Sequence, residues 1–137
     1  QYAAITAHKN NHDDYIQKSK NILKSVGNYV YENLKSNDVL INKPQGGFYL
    51  MPEFVGKKFN SSSEMCKDIL EKTGVALLPG SDFGFKENKL LARLSFTDFD
   101  GQNFMEKTHN EKLDNQTIKN FAPKVVEGVN RLKNWSK

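Results

Sequence analysis

The chain has 137 residues, 37% of them hydrophobic, with a mean hydropathy of −0.68 and a formal net charge of +4. That is the length of one ordinary domain with a modest core and a very polar surface. There is no run of about 18 apolar residues to cross a membrane, and the scattered lysines form no block of five or six like charges, which argues against a nucleic-acid partner.

The opening "QYAAITAHKNN" has no basic start, no long apolar stretch and no cleavage site, so it does not read as a secretory signal. It also lacks an initiator Met, and the expectation is a chain that starts inside a longer protein. Cys66 is the only cysteine, which leaves no internal disulfide. It sits on a helical pattern as a small buried side chain, and a cytoplasmic location is the simplest reading.

Residues 1–8 are alanine-rich and read as the end of a helix whose apolar side needs a partner. "NNHDD" (10–14) breaks the pattern and supplies helix-capping side chains. From Asp13 to about Lys35 the residues Ile16, Ile22, Leu23, Val26, Val30 and Leu34 recur at spacings of three and four, one helical stripe in which Gly27 costs a little stability. Residues 38–42 suit a short strand and 43–47 a turn. In "GGFYLMPEF" (46–54) alternation predicts a strand with Phe48 and Leu50 on one face and Tyr49 and Met51 on the other, with Pro52 limiting its pairing.

Residues 61–74 predict a helix with a serine N-cap, Glu64 in its first turn, Met65, Ile69 and Leu70 on one face, and Gly74 at its end. A buried strand over 75–80 stops at Pro79-Gly80, a loop covers 81–88, and 90–96 is the next strand. "TDFDGQNFMEK" starts with capping residues and predicts a short helix. The final segment, Asn115 to Trp135, reads as a helix with Pro123 in its first turns or at a kink. Hairpin-like pairs separated by helices predict an α+β fold, a small mostly antiparallel sheet covered by helices.

Only two of the 20 basic residues are arginines, Arg93 and Arg131. Within "LLARLSF" the period of two puts Leu90, Ala92, Leu94 and Phe96 on a core face, with Leu91, Arg93 and Ser95 opposite. A guanidinium on an otherwise buried strand is costly unless paired. Its planar fork grips a carboxylate or phosphate in a way lysine does not. Two partners fit: a ligand anion, or a buried Asp or Glu of the same chain. Paired glycines in "PQGGFY" and the Pro-Gly turn of "GVALLPGSDFG" sit where backbone approaches a ligand closely.

These stretches carry a resemblance. "KPQGGFYLMPEF", "TGVALLPGSDFG" and "LLARLSFTDFDG", in this order, resemble the C-terminal part of class I/II aminotransferases of the pyridoxal-phosphate fold-type I group. "QYAAITAH" resembles the family's Gln-x-Ala-x-x-Ala helix, and "FAPKVVEGVNRL" its closing helix. The resemblance implies that residues 1–35 are the end of an upstream helix and a long interdomain helix, and that 36–137 are the small domain.

It further implies that Arg93 binds the α-carboxylate of an amino acid or 2-oxo acid, and that Gly47 and Phe48 line the substrate pocket. The Schiff-base lysine and the pyridoxal 5'-phosphate site belong to segments upstream, so no catalytic or cofactor-binding residue is expected here. The implied parent is a homodimeric transaminase, inactive as this fragment alone. Two other readings stay open: a lyase or synthase on the same fold, and a non-catalytic stand-alone module.

Other constellations have plainer explanations. His8 and His12 flank a helix break, and His109 stands far from both, so no zinc set forms. Ser61, Ser62 and Ser63 read as a cap cluster. Asp98 and Asp100 before Gly101 lack the later ligands of a calcium loop and read as caps. Phe83, Phe85, Phe96, Phe99 and Phe104 are expected in the core.

Overall fold

The longest helix forms where the apolar period is clearest. In the computed structural model, which describes residues 1–108 and 113–137, α1 (Tyr2–Lys9) is followed by α2 (Asp13–Leu34), whose buried stripe is Ile22, Val26, Tyr29, Val30 and Leu34. Ile16, expected on that stripe, is exposed, because α2 extends past the core at its N-terminal end. The expected helix over 1–8 is present as α1, and it buries no residue.

The strands are short. β1 (Val39–Leu40) pairs antiparallel with β3 (Glu53–Phe54), placing Val39 opposite Phe54. β2 (Tyr49–Leu50), β4 (Leu78–Pro79) and β5 (Ala92–Ser95) form a three-stranded antiparallel sheet in the order β2-β5-β4, so β5 is central. The single strand expected over 46–54 is therefore split. Pro52 has no N–H to give, but its carbonyl accepts from the Ala92 amide at 3.0 Å, and the chain then turns to pair with β1. The strand expected over 75–80 shrinks to β4, and the loop expected over 81–88 begins inside a 3-10 turn, Gly80–Phe83.

α3 (Ser62–Thr73) starts as its sequence predicts: Ser61 Oγ accepts the Glu64 amide at 3.1 Å, and Gly74 ends the helix in the left-handed region at φ 72°. Its buried face is Ser62, Met65, Cys66, Ile69 and Thr73; Leu70, expected there, is exposed because it lies a residue past that stripe. α4 (Gly101–Lys107) is capped by Asp100, whose carboxylate accepts the Asn103 amide at 3.0 Å. The final helix is two helices, α5 (Asn115–Phe121) and α6 (Pro123–Ser136), broken at Ala122 with Pro123 in the first turn of the second. His109 lies outside the described residues.

Ala92, Leu94 and Phe96 of β5 and its end join the buried residues of α2, α3 and α6 in one core. The fold is α+β, with six α-helices among the described residues around small antiparallel sheets. The opposite face of the three-stranded sheet is left open: Tyr49, Leu78 and Ser95 are exposed and Arg93 is half-buried. Leu91 departs from the alternation expected of it. It is buried, because the backbone of Gly80 closes over it and donates to the Leu91 carbonyl at 2.7 Å. A Cβ on Gly80 would stand 2.8 Å from that same oxygen, so only glycine allows the approach.

Candidate functional site

The two arginines have opposite fates. Arg131 is used up within the fold: its Nη1 donates to the Thr73 carbonyl at the end of α3 (2.8 Å), and its other nitrogen pairs with Glu127 one turn away. The side chain of Arg93 makes no hydrogen bond and no ion pair with any described residue. The buried acid that could have explained it is absent among the described residues. Its guanidinium instead lies over two aromatic rings, 4.4 Å from the centre of Tyr49 and 4.3 Å from the centre of Phe83.

Sheet order creates this arrangement. Tyr49 comes from β2 on one side of β5, opposite Ser95. Phe83 ends the 3-10 turn that follows β4 on the other side, where Leu78 stands opposite Arg93. The turn is anchored at its start by Gly80 against Leu91 and by Ser81, whose amide donates to the buried Ser62 Oγ at 3.3 Å. Ser62, expected only as part of a cap cluster, thus also ties α3 to the turn that bears Phe83.

Gly47 has φ +69°, a left-handed conformation, and a Cβ there would meet no other atom within 4 Å. The bend it makes breaks the alternation expected of Phe48. Phe48 is exposed rather than on Leu50's core face, and its ring leans on Tyr49 with centroids 4.2 Å apart. The structure therefore joins Phe48 to Tyr49 and through it to Arg93. Gly47 lines a separate concavity of about 330 Å³ with Lys20, Lys24, Pro44 and Phe96.

A larger concavity, about 570 Å³, lies between α6 and the end of β5 and is lined by Ser95, Asp98, Lys124 and Arg131. Its charges are already paired, Lys124 with Asp98 at 3.5 Å and Arg131 with Glu127, so it holds no unmatched recognition group to compare with Arg93.

The remaining aromatics separate into two groups. Phe96 and Phe104 are in the core and Phe99 packs against it, whereas Phe83 and Phe85, expected there too, are exposed on the turn after β4. Among the described residues no three His, Cys, Asp or Glu side chains gather in a way that would hold a metal ion. Among those residues, also, no helix is long and apolar enough to cross a membrane. Sequence reasoning missed Tyr49 and Phe83 as site residues; two exposed aromatics flanking a half-buried arginine are a signal only once the strand order is known.

Known proteins similar to this chain are aminotransferases. A probable N-acetyl-LL-diaminopimelate aminotransferase of Bacillus subtilis is 38% identical over 84 residues, covering 61% of this chain and 21% of that protein. An aspartate aminotransferase of Sulfolobus acidocaldarius is 27% identical over 123 residues, covering 87% of this chain and 27% of that one. Among solved structures, an aspartate aminotransferase of Thermotoga maritima superposes with a TM-score of 0.61 at 28% identity, over 98% of this chain and 27% of its own. The chain thus spans between a fifth and just over a quarter of the length of these curated relatives. The sequence model described as "Aminotransferase class I and II" matches residues 1–106, most of the chain, and the chain belongs to that family.

Proposed function

We propose that the chain is the C-terminal small domain of a cytoplasmic, homodimeric pyridoxal-phosphate-dependent aminotransferase, and that it supplies the group that holds the substrate's α-carboxylate. In that role Arg93 grips the carboxylate of an amino acid or 2-oxo acid. Gly47 and Phe48 shape the neighbouring wall of the pocket. Residues 1–35 form the connection to the rest of the polypeptide and 36–137 the small domain.

The observation that carries the reading is the guanidinium of Arg93 on the open face of the sheet, unmatched among the described residues. A half-buried cation with no acceptor of its own is a poor investment for stability alone and a good one for an incoming anion. The exposed aromatic surface around it is the kind a second domain covers. Pyridoxal 5'-phosphate does not fit the side chains that surround Arg93. Tyr49, Leu78, Phe83 and Ser95 offer neither an amine for the cofactor's aldehyde nor an acid for its ring nitrogen. On this reading the cofactor and the proton-transferring lysine belong to other parts of the parent enzyme, and this chain alone is expected to have no transaminase activity.

The test is Arg93→Lys in the parent enzyme. Lysine keeps the charge and loses the fork, so the KM for the amino acid rises while the cofactor's absorption spectrum stays as it was. An unchanged KM would remove Arg93 from carboxylate binding.

A further inference from the structure

We infer that Tyr49 and Phe83 are positioning residues for carboxylate recognition: the two rings hold the Arg93 guanidinium by its faces, so that only its hydrogen-bonding edge is left for the ligand. The inference rests on the carboxylate-binding reading of Arg93 and adds to it what orients the fork.

The geometry begins with what Arg93 lacks. A guanidinium has five N–H donors in one plane, and an arginine bonded to a protein acceptor, as Arg131 is to the Thr73 carbonyl, has its direction set by that bond. No described residue accepts from Arg93, so its direction must be set otherwise. Its carbon lies over one ring at 4.4 Å and over another at 4.3 Å, and these rings come from segments on opposite sides of the central strand. Each face of the cation is attracted by the electron-rich face of a ring. A cation held this way by its faces keeps its in-plane donors for the gap between the rings, where a carboxylate would meet them edge-on in a two-point grip.

Both rings are themselves held. Phe48, turned away from the core by the left-handed bend at Gly47, leans on Tyr49 at 4.2 Å between centroids. Phe83 is fixed by its turn, through Gly80 on Leu91 and Ser81 on Ser62. Holding a long side chain in its bound orientation before the ligand arrives removes part of the ordering cost from binding. Besides shaping the pocket wall, Phe48 then also steadies Arg93 through Tyr49.

The experiment compares Arg93→Lys, Tyr49→Leu, Phe83→Leu and Tyr49→Phe in the parent holoenzyme, reading KM and kcat for the amino acid and competitive inhibition by propionate. Each leucine variant is expected to raise KM and the propionate inhibition constant about fivefold, the effect of losing one ring from a cation, with kcat unchanged. Tyr49→Phe keeps a ring and is expected to behave as the wild type. If Arg93→Lys raises KM and both leucine variants leave it alone, the clamp is wrong and the carboxylate hook stands. If Arg93→Lys itself changes nothing, the hook is wrong. A Tyr49→Phe variant as impaired as Tyr49→Leu would assign the effect to the hydroxyl and overturn the ring clamp. An independent readout needs no substrate. In the folded parent enzyme the δ-methylene protons of Arg93 should show upfield ring-current shifts in the NMR spectrum, smaller in each leucine variant; ordinary arginine shifts in the folded wild-type protein would overturn the clamp.

Discussion

Arg131 donates to the carbonyl of Thr73 at 2.8 Å, joining the last helix to the end of α3. Thr73 precedes the left-handed Gly74, where the helix leaves carbonyls without partners, and a cation there also meets the negative end of the helix dipole. The accompanying pair with Glu127 is exposed on both sides and contributes little. Arg131→Leu should lower stability by about 1 kcal/mol, the usual worth of one such hydrogen bond, measured by urea denaturation. No change would mean that water replaces the guanidinium at no cost.

Gly27 sits in the middle of α2, where glycine ordinarily costs about 1 kcal/mol relative to alanine. Helix propensity alone therefore predicts that Gly27→Ala stabilises. Packing predicts the reverse: the added methyl would lie 3.0 Å from Cζ of Phe96 and 3.3 Å from Cγ of Pro44. Phe96 is almost fully buried and has little room to retreat. Gly27→Ala should destabilise by about 1 kcal/mol net, seen as a lower thermal midpoint; a higher midpoint would show that the ring yields.

Cys66 is buried on α3. Burial first, and then the negative charge of Asp82, push its thiol up from 9.0 to about 11. Because the folded value is the raised one, the folded state holds a proton that the unfolded chain gives up. The associated stability is fully present below about pH 9 and is lost as the pH rises from there towards about 11. At neutral pH the thiol should be inert to disulfide reagents and react promptly once urea unfolds the chain. Fast labelling of the native protein would contradict this burial.

Much of the scaffold was legible because periodicity reports burial directly. Val26, Val30 and Leu34 on α2, Met65 and Ile69 on α3, and Ala92, Leu94 and Phe96 around β5 all lie where their spacing put them. The misplacements have tertiary causes. Leu91 is buried because Gly80 closes over it, and Phe48 leaves the core face because Gly47 bends the chain. Pro52 and Pro123 were visible as interruptions, but whether each would end an element or only bend it depended on what the freed chain could pair with.

The candidate site was legible by half. Arg93 stood out because a scarce residue type occupied a costly place. Tyr49 and Phe83 gave no such signal, since aromatics near a glycine turn are ordinary and nothing local links them to one arginine. Only the order β2-β5-β4 brings them to its two sides.

That order also makes recognition a property of the assembled sheet. Arg93, Tyr49 and Phe83 come from three separate stretches of the chain, and none of them can orient the others until all three have docked. Anion affinity should therefore vanish together with the global unfolding transition rather than fade ahead of it. By mass action, a carboxylate that binds only the folded form should raise the melting temperature of the whole domain as its concentration exceeds its dissociation constant. A ligand touching one side chain would thus act as a fastener for strands it never contacts.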